Sequence, residues 1–225
     1  MIEIISVKQI CNLGRVPVSI LHNPLYNACT QIVDDPKISV EKTELYNHYK
    51  AYNPKTLYDI YGVCDKLKEY SYCCIFLPWA HYCPVSEFRD HAFINRAKNF
   101  TKNEIKKIKL LISSIQESGY KPEKFLDRKG GHITGYFLKE GTNKKFYIVS
   151  GNHRASVLSA LFPDKPIPVN IEKKEFMKKR DKVNRDKKYF KETYDVGQAE
   201  DWPSVVSGFL KKEEAIQIAR KYLDQ

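Results

Sequence analysis

The stretch Phe146-Tyr147-Ile148-Val149-Ser150-Gly151-Asn152-His153-Arg154-Ala155 decides the fold. Its first four residues are aromatic or β-branched, a composition that predicts a buried strand. Gly151 allows a close approach of the backbone in the loop that follows. After Ala155, the apolar residues Leu158 and Leu161 continue at helical spacing. A strand that leads through a short loop into a helix indicates an α/β or α+β domain.

The clearest helix lies upstream of this stretch, from Thr101 to Gly119. Thr101 and Glu104 have the spacing of a capping box, which predicts the start of the helix at Thr101. Gly119 is expected to close the helix in the left-handed conformation. The apolar residues that repeat on one helix face are Ile105, Ile108, Leu111, Ile112 and Ile115. We therefore expect this helix to pack one face against a sheet.

Three further runs have the composition of strands. They are Cys73–Leu77, Ile133–Leu138 and Ile167–Ile171. Pro168 predicts an edge position for the last run, or a place in its first turn, because proline cannot donate to a sheet ladder. Strands and helices thus alternate over residues 71–171, which we interpret as the main domain.

The segments on either side of this domain differ from it. Residues 1–70 mix short apolar runs with Pro, Asn and Tyr, and we interpret them as a mostly helical N-terminal extension. Within them we expect a turn at His22–Tyr26 and a helical turn at Leu57–Tyr61. Residues 172–225 carry a basic stretch and then a final helix that docks on the domain, with Trp202 as an apolar anchor.

The chain of 225 residues has 38 Lys and Arg against 27 Asp and Glu, a net charge of +11. This balance favours anionic partners, such as nucleic acid, nucleotides, phosphorylated metabolites or acidic membrane surfaces. No apolar run approaches the roughly 18 residues of a membrane-spanning helix, so we expect no membrane span. The first 20 residues lack the basic start and apolar core of a secretory signal, which predicts a cytoplasmic location.

All six cysteines lie in the first 83 residues, and none form a Cys-x-x-Cys pair. Structural zinc sites usually contain paired close ligands. We interpret these cysteines as reduced thiols and predict no metal site on them.

The loop Ser150–Arg154 contains the groups of an anion site. The helix that follows it presents free N–H groups and the positive end of its dipole. Arg154 can bind a phosphate through two N–H groups, and His153 and Asn152 can each add a donor. The alternative is an ordinary turn followed by an exposed helix start.

A strand that ends in small-Gly-x-His-Arg before an Ala-rich helix resembles the phosphate-binding motif of the ParB/sulfiredoxin superfamily. The polar box after Phe76-Leu77-Pro78 lies where that superfamily has its first motif. Thr101–Gly119 resembles the helix between the two motifs, and Ile167–Ile171 matches the strand after the loop helix. The resemblance covers residues 71–171. It implies an α+β (α/β) fold with a mixed sheet and packed helices, extended by helical segments at both ends.

The loop distinguishes among the branches of the superfamily. Sulfiredoxins have a catalytic Cys at the position of Asn152, and a carboxamide cannot act as a thiolate nucleophile. ParB proteins have a Gly-x-Arg-Arg loop that binds CTP, but His153 replaces the first Arg here, and residues 172–225 are too few for a DNA clamp. The Gly-His-His-Arg-like loop of the small-molecule kinases is more similar.

Resemblance to this kinase branch implies a nucleotide-dependent phosphotransferase that acts on a small hydroxylated metabolite or a sugar. ATP or ADP is the expected nucleotide, with CTP as a third option, and Mg²⁺ assists. The sugar is suggested by similarity of His22–Tyr26 and the loop to ParB-like proteins associated with surface-polysaccharide assembly. The expected phosphate-binding residues of the loop are Ser150, Gly151, Asn152, His153 and Arg154.

The polar box supplies the remaining predicted site residues. Glu87, or else Asp90, is expected to accept the hydroxyl proton or to hold Mg²⁺, and Arg89 is expected to pair with a phosphate or an acidic substrate. His153 is counted among the catalytic residues with these two carboxylates. An ordinary surface loop is the alternative interpretation of the box.

Two other functions remain open. The first is a ParB-like nucleic-acid-binding or nuclease-like protein, favoured by the net charge and by residues 172–191, which carry ten Lys or Arg against four Asp or Glu. A solvated helix or linker is the simpler interpretation of that stretch. The second is a nucleotide sensor without catalysis.

Overall fold

The computed structural model describes residues 1–12, 18–19, 22–51, 54–70, 76–80, 97–124, 131–171 and 191–224. Within these ranges, helices and a seven-stranded sheet form an α+β fold, which confirms the predicted fold class. None of the helices in these ranges combines the length and the apolarity that crossing a membrane requires.

The strands of the sheet are β1 (Ile2–Ile5), β2 (Ile10–Asn12), β3 (Val18–Ser19), β4 (Ile133–Glu140), β5 (Asn143–Ser150), β6 (Ile167–Ile171) and β7 (Thr193–Asp195). The α-helices are α1 (Pro24–Asp34), α2 (Glu44–Ala51), α3 (Leu57–Tyr61), α4 (Ala97–Ser118), α5 (Asn152–Leu161), α6 (Pro203–Val206) and α7 (Lys212–Leu223).

The sheet has the order β1-β6-β4-β5-β2-β3 and mixes parallel with antiparallel pairs. β4 and β5 form an antiparallel hairpin that turns at Gly141. β4 also pairs in parallel with β6 through its first residues and with β7 through residues 137–139. The β4–β5 hairpin is therefore the centre of the sheet.

The N-terminal segment contains the helices α1, α2 and α3, of which α3 is the expected helical turn. It also supplies three strands that the expectation of a mostly helical extension did not include, with β1 paired to β6 and β2 paired to β5. These strands are two to four residues long, too short to show a period in the sequence. The predicted turn at His22–Tyr26 is instead a helix start, because Pro24 is the first residue of α1 and Asn23 caps it.

Of the two positions predicted for Pro168, the structure has the second: β6 is an internal strand, and Pro168 is its second residue, opposite Ile4 of β1 and just before the residues of β6 that pair with β4. The strand predicted at Cys73–Leu77 needs correction. Phe76 and Leu77 are buried but lie outside any strand, in a segment that turns at residues 78–80. The rest of the predicted strand Cys73–Leu77 lies outside the described residues.

Helix α4 begins at Ala97, so the predicted capping box is wrong. Thr101 is buried in the helix interior rather than at its start. The apolar stripe is confirmed, with Ile105, Ile108 and Ile112 buried. Gly119 follows the helix with a φ of +73°, the predicted left-handed closure.

Side chains alternate between the two faces of the sheet, and each face has its own core. We call the face covered by α1, α4 and α5 the aliphatic face, because Ile and Val dominate it. We call the face covered by α3 and α7 the aromatic face, because Tyr and Trp side chains dominate it. Trp202 is buried there at the end of the chain segment before α6, as predicted.

Candidate functional site

The candidate site lies where β5 passes into α5. β5 ends at Ser150, which pairs with Thr134 of β4, and Gly151 follows with a φ of +102°. A Cβ added to Gly151 would lie 3.1 Å from the Ile133 Cα. Glycine is therefore required, both for its conformation and for the close approach of the loop to the start of β4.

The first turn of α5 leaves backbone donors free within the helix. Gly151 is the N-cap residue and has no side chain to cap the helix. The bond from the Ala155 N–H to the Gly151 carbonyl, at 2.9 Å, is the first of the helix. The N–H groups of residues 152–154 precede it and have no intrahelical acceptor. This end of α5 consequently favours an anion.

The Arg154 guanidinium folds back over the loop. Its Nη2 lies 3.2 Å from the position that a Cβ of Gly151 would occupy. Its Nη1 is buried and has no hydrogen-bond partner among the described residues. Burial lowers the pKa of Arg154, and the neighbouring Tyr120 opposes this shift. The loop thus holds a partly dehydrated cation, and no carboxylate of the described ranges forms an ion pair with it.

Tyr120 connects this cation to the sheet. The Tyr120 hydroxyl accepts a hydrogen bond from the Ile133 N–H at 3.3 Å, which fixes the residue after α4 against the start of β4. Burial raises the pKa of Tyr120, and the charge of Arg154 acts in the opposite direction. The phenol is therefore neutral and can still donate its own proton to a ligand.

His153 is bonded to Glu104 of α4. The distance between His153 Nε2 and Glu104 Oε2 is 2.6 Å, and Lys107 Nζ lies 2.5 Å from Glu104 Oε1. Burial alone raises the pKa of Glu104, but the bonds from His153 and Lys107 outweigh it and hold the pKa below its ordinary value. Glu104 is therefore an ionised carboxylate. It contacts the loop, whereas the sequence predicted that it caps its own helix.

Buried polar atoms without partners concentrate at this site. Four such side-chain atoms occur among the described residues: His132 Nδ1, Asn152 Oδ1, Arg154 Nη1 and Ser156 Oγ. Asn152 and Ser156 lie one turn apart on the same face of α5. His132 immediately precedes Ile133, which contacts Gly151. Buried polar atoms are almost always hydrogen-bonded, so these exceptions mark the residues whose polar atoms a bound ligand could contact.

The structure brings together one of the two predicted groups of site residues. Ser150, Gly151, Asn152, His153 and Arg154 all lie at the end of β5 and the start of α5. The second predicted group, Glu87, Arg89 and Asp90, lies outside the described residues.

Sequence reasoning missed Glu104, Tyr120 and His132. One signal for Glu104 was available, because it stands four residues before Ile108 on the apolar face of α4. Glutamate is rarely buried without a partner. Tyr120 gave no signal, because its relation to Arg154 depends on how the end of α4 packs against β4. His132 gave no signal either.

The residues of the site suit an anion better than a cation. No group of three or more His, Cys, Asp or Glu in the described ranges is placed to hold a metal ion. The carboxylates predicted to hold Mg²⁺, Glu87 and Asp90, lie outside those ranges. Among the described cysteines, Cys11, Cys29 and Cys64 are free thiols, and burial raises the pKa of Cys29 to about 12. No chemistry is therefore assigned to these thiols.

Comparison of the chain with protein-family models, with curated proteins and with solved structures gives no match. The resemblance of the loop to the ParB/sulfiredoxin superfamily therefore stays a prediction. Function has to be inferred from the chemistry of the site.

Proposed function

We propose that this protein binds the phosphate groups of a nucleotide at the start of α5 and transfers a phosphoryl group to a small hydroxylated metabolite or a sugar. The observation that carries the proposal is the unpaired, buried Nη1 of Arg154 beside Gly151. We expect ATP or ADP as the nucleotide, with CTP as the third option, and we expect the reaction to occur in the cytoplasm.

Electrostatics support an anionic ligand at this position. A buried charge costs several kcal/mol unless a partner compensates it. The guanidinium of Arg154 has no carboxylate partner in the described ranges, and the free N–H groups of α5 are adjacent to it in the chain. A phosphate oxygen would satisfy both groups with charge-assisted hydrogen bonds of about 2.7 to 2.9 Å. A bound phosphate would therefore supply the hydrogen bond that Arg154 Nη1 lacks among the described residues.

Phosphoryl transfer depends mainly on positioning and on neutralising charge, and little covalent chemistry is required of the protein. A fixed guanidinium and a helix N-terminus meet that requirement. Mg²⁺, if Glu87 and Asp90 hold it, would neutralise further charge on the phosphates. These two carboxylates and Arg89 remain part of the proposal.

Replacement of Arg154 by methionine tests the proposal. Methionine keeps the length of the side chain but cannot bind phosphate, so we expect Arg154→Met to weaken ATP binding at least tenfold in calorimetry with Mg²⁺ present. The melting temperature without nucleotide should not fall, because the nitrogen that is removed is buried and has no partner among the described residues. Arg220→Met is the matched control, since Arg220 pairs with Glu140 on the surface, and it should leave ATP affinity unchanged.

The proposal fails if the wild-type chain binds none of ATP, ADP and CTP, or if Arg154→Met binds them with the same affinity as the wild type. Phosphorus NMR of the bound nucleotide with hydroxylated metabolites and sugars then tests transfer. A nucleotide that binds and stays intact with every acceptor would favour the sensor without catalysis over the phosphotransferase.

A further inference from the structure

The contact between Glu104 and His153 joins two helices that are far apart in the chain. Glu104 belongs to α4 and His153 to the first turn of α5, 49 positions later. The Glu104 side chain is 10% exposed, whereas the His153 side chain is 30% exposed. The carboxylate is thus buried behind the imidazole, and the imidazole is the member of the pair that solvent or a substrate can reach.

Both oxygens of Glu104 are occupied. Oε2 binds His153 and Oε1 binds Lys107, whose side chain is largely exposed. Two partners on different oxygens fix the rotation of the carboxylate group. The orientation of the imidazole is consequently set by α4 as well as by the backbone of α5.

The hydrogen bond also determines which imidazole nitrogen carries the proton. An ionised carboxylate can only accept, so His153 Nε2 must donate. In the neutral ring, Nδ1 then holds the lone pair and is a proton acceptor. A carboxylate that fixes one tautomer in this way also stabilises the imidazolium that forms when the other nitrogen takes up a proton.

We propose that Glu104 and His153 form a carboxylate–imidazole dyad in which His153 Nδ1 accepts the proton of the hydroxyl group that receives the phosphoryl group. Glu104 is the positioning residue of this dyad and acts only through His153. The inference rests on the proposed function and deepens it. It assigns the proton acceptor to His153, next to Arg154, in place of the carboxylates Glu87 and Asp90.

The step balances with a nucleoside triphosphate and an alcohol as the two reactants. The hydroxyl O–H bond breaks and its proton passes to His153 Nδ1, while the hydroxyl oxygen forms a bond to the terminal phosphorus. The bond between that phosphorus and the bridging oxygen breaks, and the nucleoside diphosphate leaves with the electron pair. The imidazolium then releases the proton to solvent, which restores the dyad.

Nitrogen NMR of histidine-labelled protein tests the dyad without knowledge of the acceptor. In the wild-type chain, we expect the neutral His153 ring to be protonated at Nε2 and the Nδ1 signal to shift when ATP binds. Glu104→Gln should yield a mixture of the two tautomers, because an amide can either donate or accept. The dissociation constant of ATP should change less than threefold, since Arg154 and the helix N-terminus are retained.

Glu41→Gln is the matched control, because Glu41 pairs with Lys98 of the same helix α4 on the surface. It should leave the His153 signals and the ATP affinity unchanged. If Glu104→Gln does not fold, the wild-type spectrum alone tests the dyad. A neutral His153 ring that is protonated mainly at Nδ1 would overturn it.

The outcomes separate the two proposals. The dyad is overturned if ATP binds the wild-type chain without shifting the His153 signals. It is also overturned if Glu104→Gln leaves the tautomer of His153 unchanged. Neither result contradicts the proposed function. A wild-type chain that binds no nucleotide overturns both.

Discussion

The aromatic face and the start of α5 differ in whether their buried polar atoms have hydrogen-bond partners. On the aromatic face the Tyr61 hydroxyl donates to the Phe76 carbonyl at 2.6 Å, and the Tyr147 hydroxyl donates to the Tyr222 carbonyl at 2.5 Å. The indole N–H of Trp79 donates to a tyrosine hydroxyl on the same face at 3.2 Å. Around the start of α5, four buried polar atoms have no partner within the described ranges; three of them belong to α5, and His132 Nδ1 lies just before β4.

This difference teaches how a structural core can be told from a binding site. A paired polar atom has recovered the hydrogen bond that it lost on leaving water, so it stabilises a unique packing. A buried polar atom without a partner has lost its hydrogen bond to water and has gained none in the folded protein. A ligand that bonds to this atom can offset the free-energy cost. The pairing on the aromatic face therefore supports a structural role, and the partnerless atoms near the start of α5 are the basis of the binding that we propose there.

Replacement of Trp79 by alanine should have the largest effect on the aromatic face. Trp79 is fully buried and contacts the rings of Tyr147, Trp202 and Tyr222. Removing the indole leaves a cavity, and we expect the free energy of unfolding in urea to fall by about 3 to 5 kcal/mol. Val206→Ala, at an exposed site, should leave it nearly unchanged. A loss below about 1 kcal/mol would show that the aromatic face is not the main core.

Glu104→Gln should have an intermediate effect that depends on pH. Because the pKa of Glu104 is held below 4.5 in the folded chain, its ionised form stabilises the fold. This contribution is complete above 4.5 and is lost as the pH falls through the folded value. We expect Glu104→Gln to lower the free energy of unfolding by about 1 to 3 kcal/mol near neutral pH.

The difference between the wild type and this variant should then shrink in acid, as measured by urea unfolding over a pH series. A difference that stays constant down to strongly acidic pH would contradict the ionised pair. Glu41→Gln should give a profile of the same sign but smaller, because the bond from Lys98 also lowers the pKa of Glu41 and solvent screens this exposed pair.

Two serines of α5 provide the smallest and most direct test of the comparison. Ser156 and Ser159 are both fully buried, but of the two hydroxyls only that of Ser159 has a partner within the described ranges, the Ala155 carbonyl at 2.7 Å. Ser159→Ala loses a hydrogen bond, whereas Ser156→Ala removes an unpaired polar atom. We expect Ser156→Ala to be more stable than Ser159→Ala by about 1 kcal/mol in thermal or urea unfolding. Equal stabilities would remove the distinction between paired and unpaired atoms on this helix.

Prediction from sequence succeeded for elements with a strong local signal. The β5–loop–α5 unit, the stripe of Ile105 and Ile108 and the closure of α4 at Gly119 depend on residues close in the chain. It failed for the start of α4. Thr101 and Glu104 have the spacing of a capping box, but α4 begins four residues earlier, at Ala97, so Thr101 lies inside the helix. Local pattern cannot tell whether a carboxylate caps its own helix or binds a side chain elsewhere.

The sequence by itself determined the class of the fold, the strand that enters the loop and the residues 150–154 that form the start of the site, because each follows from composition or spacing within a few residues. Only the tertiary structure decided that β1, β2 and β3 join the sheet, since strands so short are stable only when a neighbour pairs with them. Tertiary packing also joined Glu104 to His153 and left Arg154 Nη1 without a partner among the described residues. Both results depend on how α4 packs beside α5 and β4, which no local pattern encodes.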